Sequence, residues 1–188
     1  MNKKYEEIST PEELLEWMKN ITYGYLGKNK LHTYQEQDFN DVWYDEYMLS
    51  TPQEVIENKI GNCWDQTELE RNWFVKHNYK VKTIYVMVNL PYENIYPTHS
   101  YLIYQDKDNS WNWFENSDFN NRGIHKKTTE EEIILFQLTK YKKFLKTFNI
   151  KDEELEKIII KVYEKPDYHI TAEEYINHVI NSKDYKGE

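Results

Sequence analysis

The chain has 188 residues, of which 39 % are apolar and 30 % are charged, so it is long enough to bury a core without disulfide or metal staples. Its formal net charge of −9 disfavours nucleic acids and anionic membrane surfaces as partners, and a neutral or cationic substrate fits this charge more easily. Only 5 Gly and 5 Pro are present, and no stretch has the composition of a linker. We therefore predict one globular domain over residues 1–188.

Cys63 is the only cysteine of the sequence, so no disulfide can form within the chain. The first residues contain no apolar run of the kind found in signal peptides, and no apolar stretch is long enough to span a bilayer. These features predict a cytoplasmic protein in a reducing compartment, where a single thiol stays available for chemistry.

Helix-start signals occur twice in the first third of the chain. Residues 9–13, Ser-Thr-Pro-Glu-Glu, combine a capping hydroxyl with proline and acidic residues in the first turn, and they predict a helix that runs to about Ile21. Residues 50–54 repeat this signal for a helix that stops at Gly61. Residues 28–50 mix aromatic and acidic side chains without a clear period, so we expect irregular structure or short helices there.

The middle of the chain predicts a helix followed by an antiparallel meander. The helix starts at residue 62 or 63 and runs to about residue 78. Three strand patterns follow, separated by polar turn residues, over residues 81–90, 100–104 and 111–114.

Two more helices are predicted over about residues 128–145 and 171–180, and each opens with a threonine followed by acidic residues. Residues 156–163 form an apolar run that fits either a strand or a helix end, and residues 123–125 are expected to close a loop. Together these elements predict an α+β fold in which N-terminal helices pack on an antiparallel sheet.

Cys63 is the position with the strongest chemical signal. It follows Gly61 and Asn62 at the predicted start of a helix, where the partial positive charge and the unpaired N–H groups of a helix N-terminus favour a thiolate. The same N–H groups are suited to hold the oxyanion that forms during acyl transfer. A buried structural cysteine is the competing interpretation, because free cysteines commonly serve that purpose.

A thiol nucleophile needs a base, and His99 is the best placed of the six histidines. It stands at the beginning of the predicted strand 100–104, and a rigid strand holds an imidazole in the fixed position that general base catalysis requires. Considered alone, a histidine at this position is more typical of a partly buried strand-end residue that hydrogen-bonds the backbone than of a catalytic base.

A third group has to fix the imidazole tautomer and support the imidazolium. Glu115 ends the next predicted strand, so antiparallel pairing of the two strands would bring its carboxylate near His99. Asp118 is an alternative carboxylate, and Asn116 is an alternative neutral group. An ordinary acidic loop is the competing interpretation for each of them.

The sequence segments around these three residues resemble three segments of a known family, and they occur in the same order and with similar spacing. Residues 61–66, Gly-Asn-Cys-Trp-Asp-Gln, resemble the Gly-x-Cys segment of the transglutaminase-like superfamily. Residues 98–101, Thr-His-Ser-Tyr, resemble its histidine followed by hydroxyl and aromatic residues. Residues 113–115, Trp-Phe-Glu, are similar to its Trp-x-x-Asp segment, shortened by one residue and with Glu in place of Asp. The resemblance covers about residues 50–125.

This resemblance implies a papain-like fold and the attack of a thiolate on an amide or ester through an acyl-enzyme. It implies that Cys63 is the nucleophile, His99 the general base and then acid, and Glu115 the orienting carboxylate. Our leading hypothesis is a cysteine-dependent hydrolase or acyltransferase that acts on a peptide-like amide of a peptide or protein. We favour hydrolysis, because the sequence contains no sign of a site for an acceptor amine.

Two rival hypotheses belong to other classes. In the first, an inactive transglutaminase-like fold serves as a protein-binding module, with the aromatic segment 34–47 and the acidic surface at the interface. In the second, the same triad uses a thioester donor, which would require a basic groove that the sequence does not indicate. No cofactor or metal is expected, because nucleotide-binding motifs are absent and the histidines lack metal-ligand spacing.

Overall fold

A computed structural model of the chain describes residues 3–88, 97–148 and 150–186. The helices in these ranges are α1 (Pro11–Met18), α2 (Phe39–Glu46), α3 (Pro52–Asn58), α4 (Cys63–Lys76), α5 (Glu130–Leu145), α6 (Asp152–Leu155) and α7 (Ala172–Ile180). The strands are β1 (Gly24–Gly27), β2 (Leu31–Thr33), β3 (Tyr47–Met48), β4 (Lys80–Val88), β5 (His99–Gln105), β6 (Trp111–Glu115), β7 (Gly123–Lys127), β8 (Ile158–Tyr163) and β9 (Lys183–Asp184).

A six-stranded antiparallel sheet with the order β7-β6-β5-β4-β8-β9 forms the centre of the fold. Strand β5 pairs with β4 on one side, with Ile84 opposite Tyr101, and with β6 on the other, with Leu102 opposite Phe114. The predicted α+β fold with helices on an antiparallel sheet is confirmed.

Helices cover both faces of this sheet, and the alternation of side chains along β5 explains how. Leu102 and Tyr104 pack in one apolar cluster with residues of α1 and α4, whereas Tyr101 and Ile103 pack in another with residues of α5. By the same alternation, His99 lies on the α5 side, and its ring stacks near that of Tyr101 with the centroids 5.8 Å apart.

A small sheet has the order β2-β1-β3, and two of its strands, β2 and β3, lie within residues 28–50, for which the sequence predicts irregular structure or short helices. The expectation of short helices is met by α2, but it is wrong for β2 and β3. These strands have only two or three residues, too few for a period to be visible. Aromatic contacts hold the sheet, since the Tyr25 ring stacks on His32 at 4.7 Å and meets Tyr47 at 5.9 Å.

Other boundaries differ more modestly from the predictions. Residues 123–125 are part of strand β7 and do not close a loop, because β7 pairs with β6 and the His125 ring stacks on Trp113. The ambiguous run 156–163 contains strand β8, and α1 ends at Met18, three residues early. In the predicted strand 81–90, residues 89 and 90 lie outside the described residues.

A third apolar cluster joins the N-terminal helices to the C-terminal helix α7. The indole of Trp64, the second residue of α4, stacks on the ring of Tyr175 in α7 with the centroids 4.2 Å apart. Both side chains are buried. None of the helices in the described ranges is long and apolar enough to cross a bilayer.

Candidate active site

Helix α4 begins at Cys63, and its start is fixed by a reciprocal cap. The Asn62 side chain accepts hydrogen bonds from the N–H groups of Trp64 (2.9 Å) and Asp65 (3.2 Å). In return, the Asp65 carboxylate accepts from the N–H of Asn62 at 3.0 Å. The cap places Cys63 as the first helical residue, where the helix dipole favours a negative charge.

The cap also limits which backbone groups can hold an oxyanion. Because the N–H groups of Trp64 and Asp65 donate to Asn62, they are not free, contrary to the expectation of several open donors at this helix end. The N–H of Cys63 itself donates towards the Tyr23 hydroxyl. This N–H and that hydroxyl are therefore the donors that lie beside the sulfur.

Asp65 is part of this support and is fully buried. Besides the Asn62 contact, it accepts hydrogen bonds from the Tyr47 hydroxyl (3.1 Å) and from the N–H of Ser50 (2.9 Å). Burial raises the pKa of Asp65 to about 7, and these donors limit the rise. Asp65 thus anchors the helix start to the segment before α3.

The sulfur of Cys63 is nearly buried, with 7 % of the residue exposed. The hydroxyl of Tyr23 lies 3.9 Å from it and donates towards the sulfur. Burial, together with the neighbouring Cys63, raises the pKa of Tyr23 well above its usual value, so that the hydroxyl keeps its proton. Tyr23 follows no motif in the sequence, and nothing in the local pattern indicates its position beside the thiol.

His99 and Glu115 are in direct contact at the end of the sheet where β5 begins and β6 ends. The His99 Nε2 atom lies 2.7 Å from Glu115 Oε2. The other carboxylate oxygen of Glu115 accepts from the Ser117 hydroxyl (3.0 Å) and from the N–H of Asp118 (2.8 Å). The carboxylate is thus held by two donors while it faces the imidazole.

The charges of this pair stabilise each other. Burial alone would lower the pKa of His99, but Glu115 and the interaction with the Cys63 thiol hold that pKa well above its usual value. Burial alone would raise the pKa of Glu115, but the His99 charge and the hydrogen bonds from His99, Asp118 and Ser117 hold that pKa below its usual value. Both shifts favour an imidazolium–carboxylate pair.

The two alternatives to Glu115 are engaged elsewhere. The side-chain amide of Asn116 donates to Met18 O (3.0 Å) and to Gln66 Oε1 (2.7 Å). The carboxylate of Asp118 accepts from the N–H of Asn120 (3.0 Å) and from the Asn121 side chain (2.7 Å). Among the described residues, Glu115 is therefore the group that meets the His99 ring nitrogen.

Glu70, two turns beyond Cys63 on α4, is a buried carboxyl that sequence reasoning missed. It is 2 % exposed, and burial and the nearby Glu115 charge raise its pKa well above the usual value, although His99 opposes this. An acidic residue on a helix ordinarily indicates a solvent-facing position. Only the packing of α4 against β5 places this carboxyl next to the pair.

Two cavities open beside Cys63. The first, of about 340 Å³, lies between Cys63 and His99 and the side chains of α5, and the second, of about 590 Å³, extends along α2. Tyr23 and Cys63 line both. Cys63 therefore borders both cavities, an arrangement that suits a chain crossing the site.

A cysteine at the tip of a helix that packs on an antiparallel sheet, with a histidine on that sheet, defines a papain-like architecture. The model of the transglutaminase-like domain family matches residues 1–111. Because the match covers more than half of the chain, the chain belongs to this family. The matched segment includes Cys63 and His99 and ends before Glu115. No curated protein and no solved structure matches the chain.

Proposed function

We propose that the protein is a cysteine-dependent hydrolase or acyltransferase that acts on a peptide-like amide through Cys63, His99 and Glu115. One observation carries this proposal: His99 Nε2 lies 2.7 Å from Glu115 Oε2, and the His99 ring borders the same cavity as the capped-helix thiol of Cys63. Membership of the transglutaminase-like family supports the same chemistry.

The contact with Glu115 supports a separate task for each ring nitrogen. The carboxylate accepts the proton of Nε2–H, so the remaining nitrogen, Nδ1, is left for the thiol of Cys63. A thiol beside such an imidazole transfers its proton to the ring, which gives a thiolate and an imidazolium. The raised pKa of His99 supports this charge-separated state.

In the acylation step, the sulfur of Cys63 forms a bond to the carbonyl carbon, and the carbonyl electrons move onto oxygen. The N–H of Cys63, which in the free protein donates towards the Tyr23 hydroxyl, and that hydroxyl itself are the two donors beside the sulfur that would turn to this oxyanion. When the tetrahedral intermediate collapses, the C–N bond breaks, and the His99 imidazolium gives its proton to the leaving amine.

In the second step, His99 acts as the base. It accepts a proton from water, whose oxygen attacks the thioester carbon, and the C–S bond breaks to release the carboxylic acid and return the thiolate. An amine in place of water would give transamidation by the same proton transfers. Hydrolysis is favoured because none of the described residues around the thiol forms a distinct amine site.

The test is acylation by N-acetyl-phenylalanine p-nitrophenyl ester, followed as a burst of nitrophenolate and as mass added to Cys63. We expect the burst for the unchanged protein, none for Cys63→Ser, and a rate about 10²-fold or more lower for His99→Ala. His178→Ala, which changes a histidine at the far end of α7, serves as the matched control and should acylate normally. Acylation of Cys63 that is indifferent to His99→Ala would refute the proposal.

One observation favours the binding-module alternative, namely that the Cys63 sulfur is nearly buried. Under that alternative, the ester does not acylate Cys63, and Cys63→Ala leaves folding and the binding of any partner protein unchanged. The same burst experiment therefore separates the two candidates.

A further inference from the structure

The exposed apolar side chains of the described residues are concentrated at the site. Seven large apolar residues are exposed: Tyr34, Val75, Phe119, Leu135, Phe144, Phe148 and Ile180. Four of them line the cavities beside Cys63, and these four are all aromatic, with exposures from 41 % to 54 %. Exposed aromatic groups clustered around an opening mark a binding site rather than a chance surface.

We refer to Tyr34, Phe119, Phe144 and Phe148 as the aromatic rim. Phe144 lines both cavities, and its ring lies 5.1 Å from that of Phe148. The ring of Phe119 lies 6.5 Å from Tyr34 and 6.5 Å from Tyr23. The rim therefore contributes side chains to both cavities beside Cys63.

The walls inside the rim carry almost no charge. Among the described residues, those that line the second cavity include no acidic or basic side chain. The first cavity adds Asp118 and Lys140 to His99, but the Asp118 carboxylate is already hydrogen-bonded to Asn120 and Asn121. A basic substrate group would lose its hydration here without gaining a free carboxylate, whereas the Lys140 ammonium is available to an acidic group. Of the acidic residues behind the net charge of −9, only Asp118 is among the described residues that line these cavities.

We propose that the substrate carries a bulky, uncharged and preferably aromatic side chain next to the amide that Cys63 attacks. This inference rests on the proposed function, and it adds the class of substrate. The first cavity, of about 340 Å³, is large enough for an aromatic ring, which lies between the rim and the ring of Tyr141. A peptide whose residues beside the scissile bond are basic is a poor substrate.

The test compares three small alkylating amides: chloroacetamide, its N-benzyl derivative and its N-(4-aminobutyl) derivative. For each reagent, the rate of Cys63 alkylation is divided by the rate at which the same reagent alkylates glutathione. This ratio corrects for differences in the intrinsic reactivity of the three reagents. We expect the N-benzyl reagent to exceed chloroacetamide by about tenfold or more, as burial of an aromatic ring implies. We expect the cationic reagent to show no such gain.

Two variants connect this preference to the aromatic rim. Phe144→Ala should reduce the N-benzyl preference, which is the ratio of the N-benzyl rate to the chloroacetamide rate, severalfold. Leu135→Ala is the matched control, because Leu135 is also an exposed apolar residue of the same helix but lines neither cavity. It should preserve the preference in full.

The outcomes distinguish this inference from the proposed function. If chloroacetamide alkylates Cys63 in a manner that depends on His99 but N-benzyl brings no gain, the substrate class is wrong and the proposed function stands. If Cys63 does not react at all, binding of N-benzylacetamide to Cys63→Ala is followed by NMR. Shifts of the Gln137 amide and Trp113 indole signals, both on the first cavity, support the aromatic site, and their absence refutes it.

Discussion

The part of the chain that matches the family model and the part that follows it contribute differently to the site. Residues 1–111 contain Cys63, His99 and Tyr23, the groups that would touch the reacting atoms. Residues after 111 contain Glu115 and three of the four rings of the aromatic rim. Under the proposed function, the first part would carry the chemistry, whereas the second part would orient the imidazole and select the substrate.

The two parts are not separate in the fold. Strand β4 of the first part pairs with β8 of the second, and β5 pairs with β6. The stacked rings of Trp64 and Tyr175 join α4 to α7. The two parts thus differ in the residues that they contribute to the site, but they share one sheet.

The strongest challenge to this comparison is a fragment of residues 1–111. We expect it not to fold, because β4 and β5 each lose a neighbouring strand, and the apolar face that α5 covers becomes exposed. Circular dichroism during urea titration should show a cooperative transition for the full chain and none for the fragment. A cooperative transition in the fragment would contradict the prediction of one domain over residues 1–188.

The second prediction concerns the carboxylate that the later part supplies. In Glu115→Gln, the side-chain amide can donate to His99 Nε2 and favour the wrong tautomer, so we expect acylation of Cys63 to fall about 10⁴-fold. Asp118→Asn, at the rejected carboxylate, should change the rate less than tenfold. The measurement is the nitrophenolate burst described above. A larger effect of Asp118→Asn than of Glu115→Gln would exchange their roles.

The third prediction measures how firmly α4 is held by the later part. Trp64→Ala should lower the free energy of unfolding by about 3–5 kcal/mol, because it leaves a cavity against Tyr175. Val75→Ala, an exposed site on the same helix, should change it by less than about 0.5 kcal/mol. Urea denaturation measures both. Similar losses in the two variants would mean that the stacked rings do not couple the regions.

The fourth prediction, with the smallest effect, concerns the pH dependence of the His99–Glu115 pair. The pKa of His99 is raised in the folded protein. Its stabilising contribution is therefore complete below about pH 6.5 and is lost as the pH rises through the pKa of His99 in the folded protein. The pKa of Glu115 is lowered, so its contribution is present above about 4.5 and is lost as the pH falls through the folded value.

The free energy of unfolding of the unchanged protein is therefore compared with that of His99→Gln at about pH 6 and about pH 10. The difference in free energy of unfolding between the unchanged protein and the variant should be smaller at the higher pH, by on the order of 1 kcal/mol. A free-energy difference that stays constant or grows with pH would mean that the two side chains do not form a charged pair.

Local sequence signals predicted most of the helix starts and the long central strands. The threonine and asparagine caps, followed by acidic residues, determine where α3, α4, α5 and α7 begin, because capping involves groups only a few residues apart. The same signals predicted that Cys63 would open a helix. They did not predict β1 to β3, since strands of two to four residues owe their existence to partners distant in the sequence.

The sequence by itself determined the fold class, the caps and the order of a thiol, a histidine and an acid, because each depends on local periodicity or on a short motif. Only the tertiary structure decided that Glu115, and neither Asn116 nor Asp118, meets His99, that Tyr23 reaches the sulfur, and that Glu70 is buried beside them. These contacts depend on the register of paired strands and on how α4 crosses the sheet. Both are set by the packing of residues far apart in the chain.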